Sequence, residues 1–187
     1  MTDGVSASLR LLGLTGSLRA RSINTELLRA ASVLLPPGAH LTMYDGLGAL
    51  PHFNPDLDVE GATPPETVAA LRAAVREADA LLVSSPEYAH GVAGSFKNLL
   101  DWLVSGPEML GKPVCILSAS SSATFAPAAL VETLRTMSGT VVSGAAITVP
   151  VNGRRLDAAA IAAEPDLAAV LRHALALVAG SVSAPQT

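Results

Sequence analysis

Between Ser17 and Thr25 the chain gathers Ser17, Arg19, Ser22, Asn24 and Thr25 around Ile23. Hydroxyls, a carboxamide and a guanidinium make a donor-rich set, and such donors suit the oxygens of a phosphate. The planar fork of Arg19 matches two phosphate oxygens at once. No lysine stands where a Walker loop requires one, and G-x-G-x-x-G is absent. ATP, GTP and the dinucleotide fingerprint are therefore disfavoured. The plainer alternative is a helix cap made by Ser22 and Asn24, with Arg19 in solvent.

A second cluster runs from Ser84 to Gly94 and includes Pro86, Glu87, Tyr88, Ala89 and His90. Pro86 stiffens a turn, while Gly91 and Gly94 permit close backbone approach. Amides beside an aromatic or apolar side chain form the kind of wall a flat heteroaromatic ring needs. Tyr88 is one of few aromatic residues in the chain. The competing reading is an ordinary strand-to-helix loop with a surface tyrosine. His90 fits a base, a proton donor or a solvated loop histidine. For Glu87 the main-chain amide is expected to matter more than the carboxylate, which would repel a phosphate-bearing ligand. A third polar run, Ser118 to Ser122, includes Ser120.

Other chemistries find little support. His40, His52, His90 and His173 are scattered, without H-E-x-x-H spacing, so no metal site is expected. No G-x-S-x-G elbow exists, which disfavours an α/β-hydrolase. A phosphoacceptor receiver wants acidic residues where this chain has Thr15-Gly16-Ser17 and Ser85-Pro86. The single cysteine, Cys115, excludes an intramolecular disulfide and fits a reducing compartment.

The polar clusters follow short aliphatic runs. Leu9–Leu14, Leu41–Tyr44, Ala80–Ser84, Val114–Ser118 and Thr140–Val149 read as five strands. Helical stripes lie between and after them: Leu27, Leu28 and Ala31; Val68, Leu71 and Val75; Phe96, Leu99 and Leu103; Pro127 to Met137; and Leu167, Leu171, Ala174 and Val178. A Gly- and Pro-rich loop spans Asp45 to Pro65. This alternation predicts an α/β fold, a three-layer doubly wound parallel five-stranded sheet with flavodoxin-like strand order 2-1-3-4-5. No linker or repeat divides it, so 1–187 reads as one domain with a core of about 9–180. Ser181 to Thr187 are expected to fray. In such a sheet ligands bind beyond the carboxyl ends of the strands, where all three polar clusters fall.

The chain has 187 residues, of which 50% are hydrophobic and 15% charged, which excludes a disordered regulator. A net charge of −4 argues against nucleic acid as a partner. The apolar stretch from Leu167 to Val178 is broken by Arg172 and His173 and falls short of a span of about 20 apolar residues. The N-terminus carries Asp3 and no long apolar run, unlike a signal peptide. A cytoplasmic protein with no membrane association is the expectation.

The runs GSLRARSIN, PHFNPDLD from Pro51 to Asp58, and SPEYAHGVAGSFKNLLDWL from Ser85 to Leu103 resemble the NADPH-dependent FMN reductase family. That family includes chromate, quinone and azo-dye reductases of flavodoxin-like fold, and the similarity runs from about Leu9 to Val149. The resemblance implies bound FMN, NAD(P)H as electron donor, and a two-step ping-pong transfer to a quinone, flavin, azo compound or metal oxyanion. It implies that Ser17, Arg19, Ser22 and Asn24 hold the FMN phosphate, with Ile23 and Thr25 in the same cofactor-binding segment. It implies that Pro86, Glu87, Tyr88, Ala89 and His90 line the flavin ring, with Ser120 on its far side. A homodimer or tetramer is implied too. The cofactor carries the chemistry, so no side chain is nominated as catalytic.

One departure from the family pattern stands out. A Gly-Gly pair is usual shortly after the third loop, and this chain has Phe125-Ala126 there. The resemblance places the helix from Ser95 to Val104 near the subunit contact. Trp102 then fits either an interface anchor or a core residue, and Lys97 and Asp101 an ion pair along one helix face. Two rival functions share the fold: an FMN-binding electron carrier and a non-redox interaction module.

Overall fold

Ala80–Ser84, strand β3, is buried along its whole length, as a continuous aliphatic run in the middle of a sheet must be. In the computed structural model, which describes residues 8–151 and 153–183, it lies between β1 (Leu9–Thr15) and β6 (Pro113–Ser118). β2 (Ala39–Met43) and β7 (Thr140–Thr148) form the edges, giving the order β2-β1-β3-β6-β7, all parallel. Ranked among the five long strands, this is the expected 2-1-3-4-5. The switch between β1 and β3 is the place where such sheets open for a ligand.

Pleat alternation sends neighbouring residues into separate cores. Leu82, Cys115 and Leu117 meet α1 (Ile23–Val33), α5 (Ala158–Ala163) and α6 (Pro165–Ser183) on one face. Leu81, Val83, Val114 and Ile116 meet α2 (Glu66–Glu77), α3 (Gly94–Asp101) and α4 (Phe125–Thr136) on the other. Burial pushes the Cys115 thiol up to about 12, so it stays protonated and serves as packing.

Some boundaries differ from the sequence reading. β2 starts two residues earlier, because its pairing with β1 runs Leu9↔Ala39 to Gly13↔Met43. α6 continues through Ser183, so Ser181 to Ser183 are helical rather than frayed, while 184–187 lie outside the described residues. By length and mean hydropathy (1.3) this helix would also suffice to cross a membrane. Its buried face, Leu167, Leu171, Ala174, Leu175 and Val178, instead packs into the sheet core.

The Asp45–Pro65 loop holds two short 3-10 turns, Gly46–Ala49 and Pro55–Leu57, and is pinned to α3. Asn98 donates to Pro51 O (2.9 Å) and accepts from Phe53 N (2.7 Å). Trp102 Nε1 also donates to Pro51 O, at 2.8 Å, and Phe53 meets the indole edge-on at 5.0 Å. Trp102 is fully buried, so it is a core residue and not an interface anchor. Lys97 and Asp101 form the expected ion pair.

Candidate active site

The parallel register sets Thr15 opposite Ser84, so the loops after β1 and β3 leave the sheet side by side. Gly16 N donates to Ser84 O at 2.8 Å and extends that pairing one residue past the strand. With the loop after β6, these segments enclose a cavity of about 270 Å³. Ile23, Asn24, Pro86, Glu87 and Ser120 all line it, so five of the twelve residues expected at a cofactor site meet at one opening.

Ile23 and Asn24 form the α1 end of the cavity; Ser17, Arg19, Ser22 and Thr25 neighbour them in the chain but do not line it. Ser22 caps α1, its Oγ accepting from Thr25 N at 3.3 Å. The capping alternative is therefore what its oxygen does, while its own proton remains to be donated. Helix geometry leaves the Ile23 and Asn24 amides without intrahelical partners. The buried Ser84 hydroxyl donates to Asn24 Oδ1 at 3.0 Å. That bond commits the carbonyl side of the carboxamide and leaves the Asn24 NH2 group as a donor. Thr25 Oγ1 shares a hydrogen bond with Thr15 Oγ1 at 3.1 Å. Ser17 Oγ, also buried, accepts from Arg19 N at 3.3 Å and shapes the loop. The Arg19 side chain is exposed and makes no hydrogen bond or ion pair among the described residues. Amides, hydroxyls, a free carboxamide NH2 and an unpaired guanidinium fit an anionic head group.

Pro86 and Glu87 line the cavity; Tyr88, Ala89 and His90 do not. Glu87–Tyr88 (β4) and Gly91–Val92 (β5) form a two-residue hairpin with Ala89 and His90 at its tip, and all three residues from Tyr88 to His90 are exposed. The Glu87 side chain has a partner within the protein: its Oε2 accepts from Ala126 N at 2.8 Å. Thr124, the cap residue of α4, provides no side-chain bond, and Glu87 takes over that role from another loop. Engaged there, the carboxylate need not face an anion. Ser120 Oγ shares a hydrogen bond with Ser122 Oγ at 2.8 Å and accepts from Ser122 N, which folds the third loop on itself.

Ala89 and His90 have φ of 48° and 58°. Two consecutive positive φ values define the hairpin turn that favours Asn-Gly, and side chains with a Cβ are strained there. Ala89→Gly is expected to raise stability by about 0.5–1 kcal/mol by removing that strain. Denaturant unfolding checks this; a loss would mean that the alanine is held by contacts.

Ser85 lines the cavity without having been expected there, and Gly16 and Ser84, also not among the expected residues, position its loops and Asn24 without lining it. Ser84 was legible as the one hydroxyl in an otherwise aliphatic strand. Gly16 was legible as the small residue at the strand end.

Comparison with known proteins bears on the same segments. The family model described as NADPH-dependent FMN reductase matches residues 9–152. An NAD(P)H-dependent FMN reductase of Pseudomonas aeruginosa is 40% identical over 119 residues, which is 63% of either chain. An NADPH:quinone oxidoreductase of Arabidopsis thaliana is 42% identical over 114 residues, covering 59% of this chain and 57% of that one. The chain thus spans less than two thirds of the length of these relatives. Among solved structures, FerB of Paracoccus denitrificans, a flavoenzyme NAD(P)H:(acceptor) oxidoreductase, superposes with a TM-score of 0.74. It is 26% identical, over 93% of this chain and 97% of that one.

Proposed function

The chain belongs to the NADPH-dependent FMN reductase family, and from that premise we propose that it is an FMN-dependent NAD(P)H oxidoreductase serving small-molecule acceptors. The observation that carries this is the cavity where the donor-rich start of α1 meets the Pro86–Glu87 wall and Ser120. When bound, FMN supplies two-electron chemistry, accepting a hydride from NAD(P)H and passing electrons to a quinone, flavin, azo compound or metal oxyanion in a ping-pong sequence.

The protein's part is binding and orientation. Ser17, Ser22, Asn24 and Thr25 form the phosphate end, with the Ile23 and Asn24 amides and the Arg19 guanidinium. Ser84 holds the Asn24 carboxamide so that its NH2 group is the one offered. Pro86 and Glu87 form the ring wall, and Glu87 ties that wall to α4. Tyr88, Ala89 and His90 are exposed and outside the cavity lining, on the hairpin that follows Glu87, and in this reading they meet the outer part of the ring or the acceptor. Ser120 closes the opposite side. Family resemblance supports a homodimer or tetramer.

The purified protein is expected to bind FMN and to have it bleached anaerobically by NADH or NADPH. Arg19→Ala is expected to weaken FMN binding about 10-fold, the loss of one charge-assisted hydrogen bond. Fluorescence titration measures it, and unaltered affinity removes Arg19 from the phosphate end. A flavin that binds but is not bleached would favour an electron carrier.

A further inference from the structure

Phe125, the first residue of α4, is half exposed (52%), yet its ring is not loose. It lies flat on His90, with ring centroids 4.3 Å apart and planes 7° from parallel. Two further features hold the pair in register. His90 sits in the strained hairpin turn, which fixes the backbone from which its ring projects. The Glu87 carboxylate on Ala126 N, the residue after Phe125, ties that hairpin to the start of α4. Glu87 and Ala123 line the cavity, and the stack, which does not, is joined to them through the Glu87–Ala126 bond and the two residues of chain from Ala123 to Phe125.

A stacked pair uses only one face of each ring. An exposed aromatic face joined to the lining of a polar cavity suits a second planar ring and offers little to a compact hydrated anion. We propose that Phe125, braced by His90, is a specificity-determining residue that favours planar quinonoid or aromatic acceptors over compact metal oxyanions. The redox consequence rests on the FMN reductase reading; the ring platform itself does not.

The test compares wild type, Phe125→Ala and Phe125→Tyr as FMN holoenzymes with saturating NADPH. For 2-methyl-1,4-naphthoquinone, Phe125→Ala should lower kcat/KM about 5-fold through KM, while Phe125→Tyr retains it. For chromate both variants should stay within about 2-fold of wild type. FMN affinity should be unchanged in both. A readout free of turnover uses the flavin-free proteins: 1-naphthol should shift the His90 ring-proton resonances in wild type and Phe125→Tyr, but not in Phe125→Ala. An unchanged naphthoquinone-to-chromate ratio in Phe125→Ala overturns the proposal. So does a parallel loss of FMN affinity, or a wild-type His90 blind to naphthol. Should the protein bind no FMN at all, the functional reading fails by itself, and the naphthol titration still decides the platform.

Discussion

Arg72→Ala is expected to cost about 3 kcal/mol of folding stability at neutral pH, far more than an exposed ion pair contributes. Arg72 and Asp58 are both largely buried, with side-chain exposures of 14% and 8%. Arg72 Nη2 reaches both carboxylate oxygens, at 2.8 and 3.0 Å, and also Trp102 O and Ser105 Oγ, each at 2.9 Å. Removing the guanidinium leaves a buried carboxylate without its counter-charge and the Trp102 carbonyl short of a donor. It also cuts the clamp holding the far end of the Asp45–Pro65 loop to α2 and α3.

The pH dependence gives this prediction a signature. Burial alone would raise the Asp58 carboxyl, but the Ser105 hydroxyl and the Arg72 guanidinium outweigh it and hold it below its usual value. Its stabilising contribution is then complete above the unfolded value of about 3.9 and is lost as pH falls through the lower folded value. In Arg72→Ala the carboxylate has lost its partner and is easier to protonate. The gap between variant and wild type should therefore narrow from pH 7 to pH 3. Urea unfolding at the two pH values measures it. A loss below about 0.5 kcal/mol at pH 7 would mean that the pair behaves as a solvated one.

How much of this was legible beforehand depended on how local the cause was. ALLVS at Ala80–Ser84 announced a buried parallel strand, since a short continuous apolar run between turns suits a strand covered on both faces. Val68, Leu71 and Val75 announced the buried face of α2 in the same way. The start of α4 at Phe125 was hidden because its cap comes from Glu87, which no helix rule applied to Phe125's own neighbours can find. The hairpin was hidden because Ala89-His90 lacks the Asn-Gly signature of its turn. α5 carries a proper N-cap, Asp157 accepting from Ala160 N, but its alanines show no apolar stripe. In the site, donor chemistry at Ser17–Thr25 could be read from residue types alone. That Ser84 steers Asn24 required the register between β1 and β3.

That same register makes Gly16 a sensitive position beside the cavity, because it sets Gly16 against Ser85, which lines it. A Cβ placed there would lie 2.2 Å from Ser85 Oγ, 2.6 Å from its Cβ and 3.0 Å from its Cα. The hydroxyl can rotate away, but the Cβ and Cα can retreat only if the backbone moves. Retreat is opposed by the 2.8 Å bond from Gly16 N to Ser84 O, which holds the two loops together. Gly16→Ala must therefore splay the loops after β1 and β3, which carry the phosphate end and the ring wall in the FMN reading. Overpacking of this kind costs about 1–3 kcal/mol. Because the displacement falls between the two halves of one ligand site, most of it should appear in binding, lowering FMN affinity up to about 100-fold. The sheet is intact on either side, so the thermal transition should stay cooperative. Ser85→Gly removes two of the three close contacts and should recover most of the lost affinity in Gly16→Ala, a coupling that independent sites would not show. FMN fluorescence titration of the two single variants and the double variant decides it. Strict additivity would mean that the pocket does not depend on how closely these loops approach.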